Sequence, residues 1–157
     1  MTITLTADPN PTSPTDTIHP ALASALAEKG YSQLTPVQLA MTNEAHGEAD
    51  LLVSAQTGSG KTVAFGLAFA RNVLDQDGKA PNPGAPRALV IAPTRELALQ
   101  VSRELGWLYG KAGGRIATCV GGMNPSHERN VLRSGATIVV GTPGRLRDHL
   151  ERGALDL

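Results

Sequence analysis

The stretch AQTGSGKT, residues 55–62, decides the predicted fold, and it directly follows the apolar residues LLV at positions 51–53. A segment with the apolar periodicity of a helix begins after it. An apolar strand, a loop of small residues and a helix start form the context of a phosphate-binding loop. Gly58 and Gly60 can adopt backbone angles that other residues resist, so consecutive N–H groups can turn inward around an anion. The sequence therefore predicts an anion-binding loop at a helix N-terminus.

Two side chains at the end of this loop have the chemistry needed to hold phosphates. Lys61 is expected to reach the terminal phosphates, and the Thr62 hydroxyl is expected to ligate Mg²⁺. Ala55 stands where the general pattern has glycine, but alanine is small enough for close approach of the backbone. The alternative is a connector rich in Gly and Ser that happens to precede a helix. It is disfavoured because Gly-Lys-Thr falls at the required offset and junction.

Length and composition indicate one globular domain. The chain has 157 residues, of which 41% are hydrophobic and 18% are charged, enough for a substantial core. Lys and Arg together number 14, as do Asp and Glu, so the formal net charge is zero. Bulk charge therefore cannot carry nucleic-acid binding, which would need locally placed basic groups. The single cysteine, Cys119, excludes an internal disulfide framework and is expected in the core.

The sequence does not support membrane insertion, secretion or a metal site built from histidines. No segment is long and apolar enough to span a membrane, and the N-terminus lacks the basic and apolar regions of a secretory signal. A cytoplasmic protein is therefore expected. The histidines show no metal-ligand spacing and are interpreted as surface or loop residues. They are His19, His46, His127 and His149.

Local signals divide the chain into a tail, two short helices, and then alternating strands and helices. Residues 1–17 are rich in Thr, Pro and Asp without periodicity, which predicts a disordered tail. Pro20 and Thr35-Pro36 open the two short helices, the first of which ends near Gly30. Strands are then predicted at 51–54, 88–92, 116–120 and 137–141, and helices at 61–74, 95–109, 124–132 and 143–151.

The alternation predicts a doubly wound, mostly parallel α/β sheet, in which ligands bind at the carboxyl ends of the strands. The strand at 88–92 is expected to be buried, and one face of the helix at 95–109 should be apolar. That face comprises Leu97, Val101, Leu105 and Leu108. Three strand ends share one pattern, a strand that runs into a polar helix start: LLVSA into QTGSGKT, ALVIA into PTREL, and TIVVG into TPGRL. The helix starts PTREL and TPGRL are suited to bind a second polyanion.

Two arginines occupy unfavourable positions in the predicted helices. Arg95 and Arg145 lie in the first turn, where the helix dipole disfavours a cation by about 0.3–1 kcal/mol. A bound anion would explain both positions. The alternative is that these are ordinary helix starts, with each arginine solvated or paired to a carboxylate such as Glu96 or Asp148. Two such arginines in a chain with a phosphate-binding loop favour the functional interpretation.

The chain resembles the first RecA-like domain of DEAD-box ATP-dependent RNA helicases, from about residue 18 to residue 157. The residues GYSQLTPVQ at 30–38 look like the Q motif, and residues 55–62 look like motif I. PTREL at 93–97 looks like motif Ia, Gly121-Gly122 like the glycine doublet, and TPGR at 142–145 like motif Ib. The match is specific because five motifs occur in the family's order.

The resemblance implies roles for individual residues, with ATP and Mg²⁺ as cofactors and RNA as partner. Lys61 and Thr62 would be the catalytic residues, and Thr62 would be the metal ligand. Nucleotide binding would involve Tyr31, Gln38, Ala55, Gln56, Thr57, Gly58, Ser59, Gly60, Lys61 and Thr62. The RNA sugar-phosphate backbone would be contacted, with low sequence specificity, by Pro93, Thr94, Arg95, Gly121, Gly122, Thr142, Pro143, Gly144 and Arg145.

The chain stops at Leu157, before the position at which the resemblance places Asp-Glu-Ala-Asp. Residues 18–157 are therefore expected to form a partial RecA-like domain, the N-terminal part of a helicase, that is inactive in ATP hydrolysis by itself. The open sheet is expected to favour association through its strand edge. Two alternatives are a non-catalytic module that binds nucleotide or RNA, and a different P-loop helicase that acts on DNA.

Overall fold

The computed structural model describes residues 18–43, 46, 49–81 and 84–157, and this part of the chain contains three parallel strands and seven helices. The predicted tail at residues 1–17 lies outside these ranges. The helices are α1 (Pro20–Glu28), α2 (Pro36–Met41), α3 (Lys61–Ala68), α4 (Ala70–Val73), α5 (Arg95–Gly110), α6 (Pro125–Arg133) and α7 (Pro143–Glu151). The strands are β1 (Ala88–Ile91), β2 (Ile116–Cys119) and β3 (Ile138–Gly141).

The sheet has the order β1-β3-β2, with β3 in the centre and buried along its whole length. Both pairings are parallel, and they bring the three strands to an end at the same level. Gly141 of β3 is the register partner of Ile91 in β1 and of Cys119 in β2. The segments that follow the strands therefore emerge side by side at one edge of the sheet, as expected for a parallel α/β fold.

Most helix starts lie at the positions predicted from their caps. The Thr35 side chain accepts a hydrogen bond from Gln38 N, and Gln38 reaches back to Thr35 N, which completes a capping box. Thr94 accepts from Leu97 N at 3.3 Å at the start of α5. Asn124 accepts from Ser126 N at 2.9 Å at the start of α6. These local hydrogen bonds satisfy orphan N–H groups, which explains why the sequence predicts the starts well.

The main core forms where α5 packs on the sheet and on α1 and α3. Of the four residues of the predicted apolar face, Val101, Leu105 and Leu108 are buried and Leu97 is 39% exposed. Leu97 lines an apolar cleft of about 290 Å³ beside β1, together with Val53 of the preceding loop. Val101 lines the same cleft, so Leu97 does lie on the predicted apolar face.

Two strands predicted from the sequence, at 51–54 and 88–92, are less regular or more exposed in the structure than predicted. Residues 51–54 contain only a single bridge residue, Leu52, which is 70% exposed. The strand predicted as buried at 88–92 is β1, and its residue Ile91 is 60% exposed. β1 is the outer strand on one side of the described sheet, so its far side has no strand neighbour there. Association through this edge stays a prediction, which sedimentation velocity would check.

The helix predicted at 61–74 is divided into α3 and α4 at Phe69. The Phe69 ring stacks on Tyr109 with centroids 5.9 Å apart, and the Tyr109 hydroxyl donates to Gly66 O at 2.6 Å. This tertiary contact accompanies the break, which no local signal marked. Within the described ranges, the helices are too short or too polar to cross a bilayer.

Candidate functional site

The loop at residues 55–62 has the backbone geometry of an anion cradle. Gly58 and Gly60 have φ values of +81° and +85°, in the left-handed region that favours glycine. Gly60 precedes α3, and no side chain caps the first N–H groups of that helix. The glycine conformations and the uncapped helix start leave backbone donors for a ligand, as the sequence predicted.

Lys61 lies across this loop. Its Nζ donates to Ala55 O and, at 2.6 Å, to Gln56 O. The Ser59 Oγ atom is buried and has no hydrogen-bond partner among the described residues. An ammonium group held on neutral carbonyls and an unpaired hydroxyl are groups that a phosphate oxygen would satisfy. The residues of the loop therefore fit the phosphates of a nucleotide.

The segment that resembles the Q motif, residues 30–38, is hydrogen-bonded to the loop at residues 55–62. Thr35 Oγ1 donates to Ser59 O at 2.9 Å, and Gln38 Nε2 donates to Gly60 O at 3.4 Å. Gln38 is fully buried, and a Cβ atom on Gly60 would lie 2.4 Å from its Nε2. Gln38 thus fixes the loop conformation, and its contact with adenine stays a prediction. Tyr31 stacks on Trp107, with centroids 5.9 Å apart.

A second surface, here called the strand-end surface, is formed where β1, β3 and β2 end. Its residues are Pro93, Thr94, Arg95, Gly121, Gly122, Thr142, Pro143, Gly144 and Arg145, of which Thr142 and Arg145 are half-buried and the others exposed. Arg95 Nη1 donates to Gly121 O at 3.1 Å. A Cβ on Gly122 would lie 2.4 Å from the same nitrogen and would displace the guanidinium group, and the φ of +81° also favours glycine here. The structure thus brings together the three segments predicted to contact RNA.

Arg145 is the most deeply buried arginine of the strand-end surface, and protein groups hold its guanidinium. Its Nη1 donates to Met123 O at 3.2 Å and to Glu128 Oε2 at 2.9 Å, and its side chain is 14% exposed. Among the carboxylates considered from the sequence, Asp148 pairs instead with Arg152, whose hydrogen bond lowers the pKa of Asp148. The carboxylate partner of Arg145 is Glu128, so the alternative of an arginine paired to a carboxylate holds for Arg145, with a residue that the sequence did not suggest. This pairing spans 17 residues of sequence, which local spacing does not reveal.

Glu128 and His149 were not identified from the sequence. Both are buried, and His149 Nε2 lies 2.6 Å from Glu128 Oε2. The prediction that the histidines are surface or loop residues is wrong for His149, because α7 turns it inward. The only available signal was the spacing of Arg145 and His149, four residues apart and so on one face of a helix.

Cys119 lies in the core as predicted, beside this pair. Burial first, and then the charge of Glu128, raise the pKa of its thiol to about 12. The ligand atoms of Cys119, Glu128 and His149 lie within 4.8 Å of one another, a grouping that the sequence spacing did not show. The Glu128 oxygens already accept three hydrogen bonds, and Arg145 supplies the positive charge. Glu128 is therefore fully paired by protein groups, whereas His149 Nδ1 has no partner among the described residues.

Comparisons with known proteins agree with the motifs. A family model described as DEAD/DEAH box helicase matches residues 35–157. The chain is 42% identical over 139 residues to the DEAD-box ATP-dependent RNA helicase 3A, chloroplastic, of Zea mays. It is 37% identical over 136 residues to the ATP-dependent RNA helicase RhlB of Xanthomonas oryzae. These matches cover 87% and 86% of the chain but only 18% and 24% of the two relatives.

Solved structures of related proteins have the same fold. A DEAD box protein from Methanococcus jannaschii superposes with a TM-score of 0.78 at 33% identity, over 92% of this chain and 38% of that one. Prp28 from Chaetomium thermophilum, bound to ADP, superposes with a TM-score of 0.79 at 35% identity, over 96% of this chain and 37% of that one. The described sheet is thus part of a RecA-like fold. The chain belongs to the DEAD/DEAH box helicase family.

Proposed function

We propose that this chain binds ATP with Mg²⁺ at residues 55–62 and the RNA sugar-phosphate backbone at the strand-end surface, as part of an ATP-dependent RNA helicase. The observation that carries the proposal is the presence of two polyanion cradles, one at the start of α3 and the other at the ends of the three strands. One cradle combines left-handed glycines with Lys61. The other aligns three strand ends, joined by the hydrogen bond from Arg95 to Gly121 O.

The nucleotide site combines the loop with the segment behind it. Lys61, Thr62 and the backbone of residues 55–60 would hold the phosphates and Mg²⁺, while Gln38 and Tyr31 would lie on the adenine side. Bound ATP would supply a phosphoryl group whose transfer to water releases free energy. The ADP bound to Prp28 of Chaetomium thermophilum supports a nucleotide at this fold. The names of the relatives support ATP as that nucleotide.

The strand-end surface suits a sugar-phosphate backbone rather than base edges. Two helix starts and a glycine turn present backbone N–H groups, and Arg95 adds a charge. Contacts to phosphate fix position without reading sequence, so low sequence specificity follows. Because the relatives are named RNA helicases, RNA is favoured over DNA, and a helicase is favoured over a non-catalytic module. A cytoplasmic location is proposed with this function.

Replacing Lys61 with alanine is expected to weaken ADP binding about tenfold to a hundredfold, the scale of a lost hydrogen bond to a charged group. Isothermal titration calorimetry with Mg²⁺-ADP measures the effect. Lys79→Ala is the matched control, because Lys79 is an exposed lysine in a loop between α4 and β1. Equal affinities for ADP in the Lys61→Ala variant and the wild type would contradict the assignment of this loop to the nucleotide site.

Replacing Arg95 with alanine is expected to weaken RNA binding to a similar degree for all sequences. The slope of log affinity against log salt concentration should also fall by about 0.7, the contribution of one phosphate contact on a single strand. Fluorescence anisotropy with labelled oligouridylate and oligoadenylate at several salt concentrations measures both. Arg103→Ala, an exposed arginine on the same helix, is the control. A loss confined to one sequence would contradict backbone recognition.

A further inference from the structure

A buried network beneath the strand-end surface centres on Glu128, in the first turn of α6. Its side chain is 2% exposed and accepts three hydrogen bonds. Val120 N donates to Oε1 at 3.1 Å, while Arg145 Nη1 at 2.9 Å and His149 Nε2 at 2.6 Å both contact Oε2. One carboxylate therefore connects the end of β2, the first turn of α7 and the inner face of α7.

Arg145 extends this network to the glycine turn. The same Nη1 that contacts Glu128 also donates to Met123 O at 3.2 Å, directly after Gly121-Gly122. Because the Arg145 side chain is only 14% exposed, its protein partners rather than solvent set its position. The guanidinium group thus holds the turn after β2 against the start of α7. These are two of the three segments of the strand-end surface.

His149 contacts Glu128 from the buried face of α7. It is fully buried and lies one helical turn after Arg145 on α7. An ionised Glu128 offers only acceptors, so Nε2 must carry the proton of their hydrogen bond. His149 Nδ1 has no partner among the described residues, so Glu128 is the side chain that holds the ring.

We propose that Glu128 and His149 are positioning residues of the strand-end surface. They hold Arg145, and through it the turn at residues 121–123, in the arrangement that receives the RNA backbone. This inference rests on the proposed function of that surface. Neither side chain is exposed enough to touch RNA, so both act through Arg145. A site on rigid elements needs such supporting hydrogen bonds to hold its contacts in place.

The test uses the full 157-residue chain with three variants of His149. His149→Phe keeps a ring but removes the donor to Glu128. His149→Asn carries an amide that is too short to reach Glu128, and His149→Gln carries one with a longer reach. Affinity for a labelled oligouridylate is expected to fall about tenfold in the Phe and Asn variants, the scale of one lost charge-assisted hydrogen bond. The Gln variant should recover most of this loss.

Affinity for Mg²⁺-ADP separates positioning from general stability. Since residues 55–62 do not touch the network, ADP affinity is expected to stay unchanged in all three variants. A parallel loss of RNA and ADP affinity without recovery in His149→Gln would overturn the proposal, as would unchanged RNA affinity in His149→Phe. If the His149→Phe variant fails to fold, the RNA affinities of His149→Asn and His149→Gln are compared instead, and equal losses in these two variants overturn the proposal.

The Arg95→Ala variant shows which claim has failed. If it weakens RNA binding while the His149 variants do not, only the positioning role falls. If the wild-type chain does not bind oligouridylate at all, the proposed RNA site and the positioning role fall together. Recovery in His149→Gln with intact ADP binding supports both.

Discussion

The free energy of unfolding is expected to fall by about 3–5 kcal/mol when Arg145 is replaced by methionine, because the change leaves the Glu128 carboxylate buried and without its charged partner. Glu128 is almost completely buried, and Arg145 is the only arginine or lysine among its described partners. Methionine keeps much of the side-chain volume, so the lost charge and hydrogen bonds dominate the effect. Chemical denaturation followed by circular dichroism measures it.

Arg147→Met on the same helix is the matched control. Arg147 pairs with Glu151 at 2.7 Å, but the two side chains are 79% and 59% exposed. Such a surface ion pair contributes at most about 1 kcal/mol, so this variant should unfold close to the wild type. Similar losses in the two variants would show that the Glu128 carboxylate is solvated. A second change, Glu128→Leu in the Arg145→Met background, should restore part of the stability, since it removes the unpaired charge.

Replacing Gly60 with alanine is the second change with a large expected effect. At φ +85° any other residue is strained by about 1–2 kcal/mol, and the new Cβ would lie 2.4 Å from Gln38 Nε2. Gln38 cannot move away freely, because it is buried and bonded to Thr35 N. The clash adds about 1–3 kcal/mol of overpacking. We therefore expect lower stability together with weaker ADP binding, measured by denaturation and calorimetry.

Gly58→Ala isolates the conformational part of this effect. Gly58 has a similar φ of +81°, but a Cβ there would meet nothing within 4 Å. The Gly58→Ala variant should therefore lose only the stability that the strain of the left-handed conformation costs. The difference between the two variants reports the contact between Gln38 and the loop. If both variants lose the same stability, that contact does not hold the loop in solution.

The sequence alone determined the features that depend on neighbouring residues. The helix starts at Thr35, Thr94 and Asn124 are set by side chains that bond N–H groups two or three residues ahead. The loop at residues 55–62 follows from glycines at positions that need left-handed angles. The alternation of strands and helices after residue 88 was likewise readable, because each element carries its own periodicity.

The tertiary structure decided the features that depend on distant residues. The exposure of Ile91, Leu97 and Leu52 reflects which strands lie beside one another, and apolar periodicity contains no information about neighbours. The partner of Arg145 is Glu128, 17 residues away, rather than the near neighbour Asp148. The buried His149 has Glu128, 21 residues away, as the hydrogen-bond partner of its Nε2 atom. A buried charge requires a partner, and only the packing of α6 against α7 and β2 determines which residue that partner is.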